Sequence, residues 1–161
     1  MGKIRMGMVG GGEGAFIGAI HRIAANIDGE IELVCGAFSS SADRSKVSGK
    51  ALYLPANRVY NNYRDMMQNE KALPEEQRMQ FVAIVTPNYL HFPIAKAALE
   101  AGFHVLSDKP ATFNLQEALD LRRLVDQTGL LYGLTYTYTG YPLIKEAKAR
   151  IADGELGNIR K

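Results

Sequence analysis

The chain has no tryptophan, one cysteine and three histidines in 161 residues. The lone thiol, Cys35, cannot close an internal disulfide. Its place at the end of the strand-like run Glu32–Cys35 marks it as a buried, reduced thiol rather than a nucleophile. No apolar run approaches the roughly 20 residues that a membrane span needs. The first residues also lack the charged, apolar and small-residue order of a signal peptide, so a cytoplasmic protein with no membrane partner is expected. Charge of one sign is scarce too. Nineteen Lys and Arg against 17 Asp and Glu leave +2, scattered rather than blocked, which gives no footprint for nucleic acid. No metal site is assigned. What is present, 47% hydrophobic and 22% charged residues, suits one globular domain with a real core.

Glycine is concentrated at the start. The apolar run Lys3–Val9 enters Gly10-Gly11-Gly12-Glu13-Gly14-Ala15-Phe16-Ile17-Gly18, and a helical pattern over Ala19–Ala25 follows at once. A nucleotide pyrophosphate site needs that order: one glycine for a tight turn, one for close approach of backbone N–H groups, then a positive helix end. Gly10, Gly12 and Ala15 fit the Gly-x-Gly-x-x-Gly/Ala spacing. A glycine-rich turn that serves only strand–helix packing is the plainer alternative.

Strand and helix patterns alternate along the rest of the chain. Strands are expected at Ile4–Val9, Ile31–Phe38, Arg58–Tyr60, Phe81–Thr86, His104–Ser107 and Leu130–Tyr136. Helices are expected up to Asn26, over Ala42–Ala51, Asn62–Lys71 and Ile94–Ala101, from an Asn114 cap to Gly129, and over Pro142–Ile151. Glu117 is placed to complete a capping box with Asn114. The near-continuous apolar run at Phe81–Thr86 predicts a strand buried on both faces of a parallel sheet. The fold class is therefore α/β, a doubly wound and mainly parallel sheet, with ligands bound beyond the carboxyl ends of the strands.

The glycine run with His21-Arg22, then Thr86-Pro87-Asn88 with His91, then Asp108-Lys109-Pro110, resembles the Gfo/Idh/MocA oxidoreductases over essentially the whole chain. That resemblance implies an NAD(P)-binding Rossmann domain over residues 1–153. Residues 154–161 resemble the family's hinge and the start of a C-terminal substrate domain that is absent here. The family's Asp and His pair of that second domain has no counterpart, so this chain alone is expected to be inactive. The implied parent reaction is hydride transfer to or from a secondary alcohol of a sugar, inositol or related polyol. A homo-oligomer is expected of the full-length protein. The alternative is a non-catalytic NAD(P)-binding sensor or regulatory module.

The resemblance also assigns the loops. Lys109 is the expected catalytic residue, holding the substrate oxygen near the nicotinamide, with partial burial expected to lower its pKa; a solvated lysine at a strand end is the plainer alternative. Its neighbours Asp108, in place of the family's Glu, and Pro110, expected after a cis bond, complete that loop. Thr86, Pro87 and Asn88 are expected along the ribose and pyrophosphate, and His91 near the nicotinamide end, with a packing or capping residue at the helix start as its alternative. Phe16 and Ile17 are expected to cover the nucleotide, with plain helix packing as the alternative. Tyr138, among Tyr136 and Tyr141, is expected to contact cofactor or substrate, with burial of these tyrosines against the second domain as the alternative. At the end of strand two, Ser39, Ser40 and Arg44 stand where a carboxylate would select NAD. Hydroxyls with a nearby guanidinium can hold a 2′-phosphate, which leans the cofactor slightly to NADP. The same serines also read as a helix-capping turn.

Overall fold

The computed structural model describes residues 2–160. Met1 and Lys161, outer bounds of the two expected segments, lie outside the described residues. Five parallel strands form one sheet in the order β2-β1-β3-β4-β5: β1 Ile4–Gly10, β2 Ile31–Ala37, β3 Phe81–Val85, β4 His104–Ser107 and β5 Tyr132–Leu134. Among the described residues, six α-helices join or follow them: α1 Phe16–Asn26, α2 Ala42–Ala51, α3 Tyr63–Ala72, α4 His91–Ala101, α5 Leu115–Thr128 and α6 Pro142–Ala152. The chain winds outward from β1 in both directions. The strand order therefore reverses between β1 and β3, which is where such sheets bind ligands.

The two faces of the sheet are filled unequally. Val82, Ile84, Ile94, Leu99, Phe103, Val105 and Leu121 belong to a large core that α3, α4 and α5 close. Burying each such side chain contributes about 1.5–3 kcal/mol. The other face holds a small cluster, Met6, Met8, Phe38, Ala83 and Val85, with Ile17 and Ala25 of α1 against it. Residues 137–160, including all of α6, are exposed along their whole length.

The strand expected at Arg58–Tyr60 shrinks to a single parallel bridge, Gly36 to Val59. Pro55 leads directly into a 3-10 turn at Ala56–Arg58, which consumes the residues a strand would need. Arg58 is also pulled away from the sheet. Its guanidinium donates to both oxygens of the fully buried Glu70, at 2.7 and 2.8 Å, and Tyr60 Oη donates to the same carboxylate at 2.7 Å. The Met79 backbone N–H supplies a fourth bond at 2.9 Å. Removing one partner of so buried a pair costs about 3–5 kcal/mol. The last strand is shorter than its apolar run, and α4 starts three residues earlier than expected. Pro93 is tolerated there because the first turn of a helix has no intrahelical use for its N–H.

Candidate active site

The glycine turn sits at the carboxyl end of β1, beside the end of β3. Gly10 has φ +83°, and a Cβ there would lie 2.8 Å from Val85 O. Both facts require glycine. Gly12 has no such φ. Its Cα faces α2 and the exit of β2, where a Cβ would meet Ser48 Oγ at 2.6 Å and Phe38 O at 2.9 Å. Ala15 is the N-cap of α1 and offers no side-chain cap, and the first turn carries no carboxylate. The helix therefore presents its free N–H groups and positive end to the space beyond the strands.

Two hollows flank the start of α1. The first, of about 590 Å³, is lined by Gly12, Glu13, Gly14, Ala15, Phe38, Ser39, Asp43, Arg44, Val47 and Ser48. The second, of about 850 Å³, brings Phe16, Ile17 and His21 of α1 opposite Asp108, Lys109, Pro110, Thr135, Tyr136 and Tyr138. Burial lowers the pKa of His21, and the Asp108 carboxylate opposes that shift. Just past the end of β3, Thr86 packs its methyl against Gly10, and its hydroxyl is buried without a hydrogen-bond partner. Pro87 and Asn88 are exposed beside it, and Ser40 is exposed on the β2 side.

The Asp108–Pro110 loop is held by the Asp108 carboxylate. Asp108 Oδ1 accepts from Thr135 Oγ1 at 3.0 Å and from Lys109 N at 2.9 Å, and the Lys109–Pro110 peptide is cis. Lys109 itself is exposed, so the partial burial expected of it is not found. The ammonium is free to meet a ligand but is not desolvated by the chain's own atoms. His91 also departs from expectation. It is 1% exposed, with Nδ1 2.6 Å from Pro110 O and Nε2 2.9 Å from Thr86 O. Neither ring nitrogen is left for direct contact with a nucleotide. Tyr138 is exposed and stands edge-on to Tyr141 at 5.7 Å between ring centroids.

Two residues at the site escape the spacing rule. Gly18 inside α1 lies against Gly11, and a Cβ on it would come within 2.6 Å of Gly11 O. The close helix–strand approach usually given to the third glycine of the pattern thus falls to Gly18, while Ala15 is the cap. Glycine within a helix costs about 1 kcal/mol against alanine, and that breach was the available signal. Arg22, one turn further along, donates to Gly11 O at 2.8 Å and braces the turn from below.

The residues present fit a dinucleotide. An uncapped helix end faces the switch point, hollows lie to both sides, and an orphaned hydroxyl waits at Thr86. Fold and site together define a Rossmann domain shaped for a dinucleotide, and comparison with known proteins agrees. Residues 4–136 match the Gfo/Idh/MocA profile, described as an oxidoreductase family with an NAD-binding Rossmann fold. The chain belongs to that family. An oxidoreductase of Bacillus subtilis strain 168, YfiI, is 38% identical over 98% of this chain and 40% of its own length. A crystal structure of an inositol dehydrogenase homolog from Azotobacter vinelandii, complexed with NADH and myo-inositol, is 45% identical. It superposes with a TM-score of 0.94 over 99% of this chain and 41% of that one. An oxidoreductase structure from Sinorhizobium meliloti is 44% identical at a TM-score of 0.90, covering 99% of this chain and 44% of that one. The chain thus spans about two fifths of the length of these relatives.

Proposed function

We propose that this chain is the nucleotide-holding part of a dehydrogenase that moves hydride between NAD(P) and a secondary alcohol of an inositol, sugar or related polyol. The observation that carries the reading is the bare N-terminus of α1 at the strand-order reversal, with Lys109 across the neighbouring hollow. The nucleotide, when bound, supplies the hydride acceptor or donor. The chain's own groups do the rest. First-turn N–H groups of α1 and the Gly10–Ala15 turn hold phosphate oxygens. The Lys109 ammonium holds the alcohol oxygen by a charge-assisted hydrogen bond and favours alkoxide character as hydride leaves carbon, the hydroxyl proton passing to a base that the second domain would supply. Tyr138 and Tyr136 offer rings and hydroxyls to the polyol. Residues 154–161 are read as the hinge to a second domain that completes the substrate pocket.

On the cofactor, Arg44 and Ser39 beside the first hollow support a 2′-phosphate. Against that, Asp43 lines the same hollow, the Ser41 hydroxyl caps α2, and Ser39 Oγ accepts from Ser41 N. The 45%-identical relative was crystallised with NADH. We therefore favour NAD(H), with NADP(H) accepted through Arg44. Titration with each nucleotide, followed by nucleotide fluorescence in a chain without tryptophan, tests this directly. NADH is expected to saturate, and NADPH binding to weaken in Arg44→Ala while NADH does not. With the substrate domain attached, Lys109→Ala is expected to cut polyol turnover by about 100-fold or more, the scale of losing one donor to a developing oxyanion. Nucleotide binding with no turnover on any polyol would favour a sensor module instead.

A further inference from the structure

His91 is the first residue of α4, a helix anchored by the buried Ile94, Ala95, Ala98 and Leu99. Its two ring nitrogens face two backbone carbonyls, Thr86 O and Pro110 O, on the loops that leave β3 and β4. A neutral imidazole donates to one of them, and a protonated ring donates to both. The two loops leave adjacent strands whose own ladder ends at Ile84 and Ser107, with one more bond from Asp108 N to Ile84 O at 2.9 Å. Past that point, the His91 ring spans the gap.

We propose that His91 is a positioning residue: its imidazole ties the Thr86–Asn88 loop to the Asp108–Pro110 loop, so the two ligand-facing loops hold one relative position. The consequence falls on Lys109. Its Cα is pinned from both sides, by Asp108 bonded to Thr135 and by Pro110 bonded to His91, while its side chain stays exposed. A long, mobile ammonium thereby starts from a fixed point, and misplacement of a reacting group by about 1 Å can cost on the order of 100-fold in rate. The catalytic meaning of this tie rests on the proposed role of Lys109; the tie itself does not.

The test compares this chain with His91→Phe and His91→Gln by amide hydrogen exchange, alongside NADH titration. Phe fills the space without a donor, whereas the Gln amide can still reach one carbonyl. In His91→Phe, exchange is expected to speed by about tenfold or more in both segments, 86–90 and 108–113, while β1 and α5 keep their protection. His91→Gln is expected to fall between it and the original chain. With the substrate domain attached, kcat should drop while KM for the nucleotide moves less than about twofold, a split that lost packing alone would not give. Loosening of the 86–90 segment alone, or of neither, overturns the proposal. Should the Phe variant not fold, the Gln variant and the ring of the original chain decide: a slowly exchanging imidazole N–H supports the tie, and fast exchange with water overturns it. Failure of the original chain to bind NADH would sink the proposed function and leave the exchange result standing.

Discussion

Helices α1 and α2 begin with nearly the same backbone and opposite chemistry. Ala15, which caps α1, has φ −90° and ψ 117°; Ser41, which caps α2, has φ −92° and ψ 122°. The serine hydroxyl accepts from Arg44 N, and Asp43 adds a carboxylate in the first turn. The alanine offers nothing, and no acid follows it. Helices α3 and α5 follow α2, with Asn62 and Asn114 as caps. Helices α4 and α6 lack side-chain caps, but α4 continues a 3-10 turn and α6 opens on Pro142, which has no N–H to satisfy. Only at α1, among these helices, is an ordinary start left bare with its end at the switch point. A helix left unfinished by its own sequence leaves its N–H groups for a ligand.

The most severe way to break the comparison is to push α1 off the turn. Gly18→Ala places a methyl against the Gly11 backbone, which has no side chain that could yield. Overpacking of this kind costs about 1–3 kcal/mol and sometimes more. The expected result is a Tm lowered by several degrees together with loss of measurable NADH binding. The same substitution at Gly129, the left-handed C-cap of α5 with open space around it, serves as control. It should lose stability by about 1 kcal/mol without touching the nucleotide.

A gentler change converts α1 into a copy of α2. Ala15→Asp puts an acceptor and a negative charge on a backbone already shaped for a cap. Stability should rise by about 0.5–1 kcal/mol. NADH affinity should fall by about tenfold or more, since the carboxylate takes the N–H groups and repels phosphate. A stabilised variant that binds NADH as before would remove the helix end from the site.

Local rules were readable in the sequence because their partners are neighbours. Asn114 and Glu117 lie three apart. The structure places Glu117 N on Asn114 Oδ1 at 2.9 Å, with Glu117 reaching back to Phe113 N at 2.8 Å rather than to the cap's own N–H. The parallel sheet was readable from apolar runs separated by helical patterns. The misses at Glu70 and His91 involve partners brought together from afar. Glu70 lies in a polar helix and looks like a surface residue, yet its four bonds come from Arg58, Tyr60 and Met79. His91 stands where a ligand-facing histidine would, and the carbonyls that occupy it come from residues 86 and 110. Gly18 was hidden because Ala15 already satisfied the spacing, although only contact with Gly11 explains why the helix tolerates it.

The smallest expected effect sharpens the comparison from the α2 side. Ser41→Ala strips the cap that Ala15 never had. The bond it removes is long, 3.5 Å from Arg44 N, so the loss belongs at the low end of capping energies, about 0.5 kcal/mol. Ser39 Oγ, which now accepts from Ser41 N at 3.2 Å, keeps that partner, because the backbone N–H survives the substitution. NADH affinity should therefore stay within about twofold, since α2's end holds no phosphate in the proposed pose. NADPH is the sharper probe. If the Ser39–Arg44 turn receives a 2′-phosphate, loosening the first turn of α2 shifts Arg44 and weakens NADPH more than NADH. Equal affinities before and after, for both nucleotides, would restrict Ser41 to capping and leave the phosphate to Arg44.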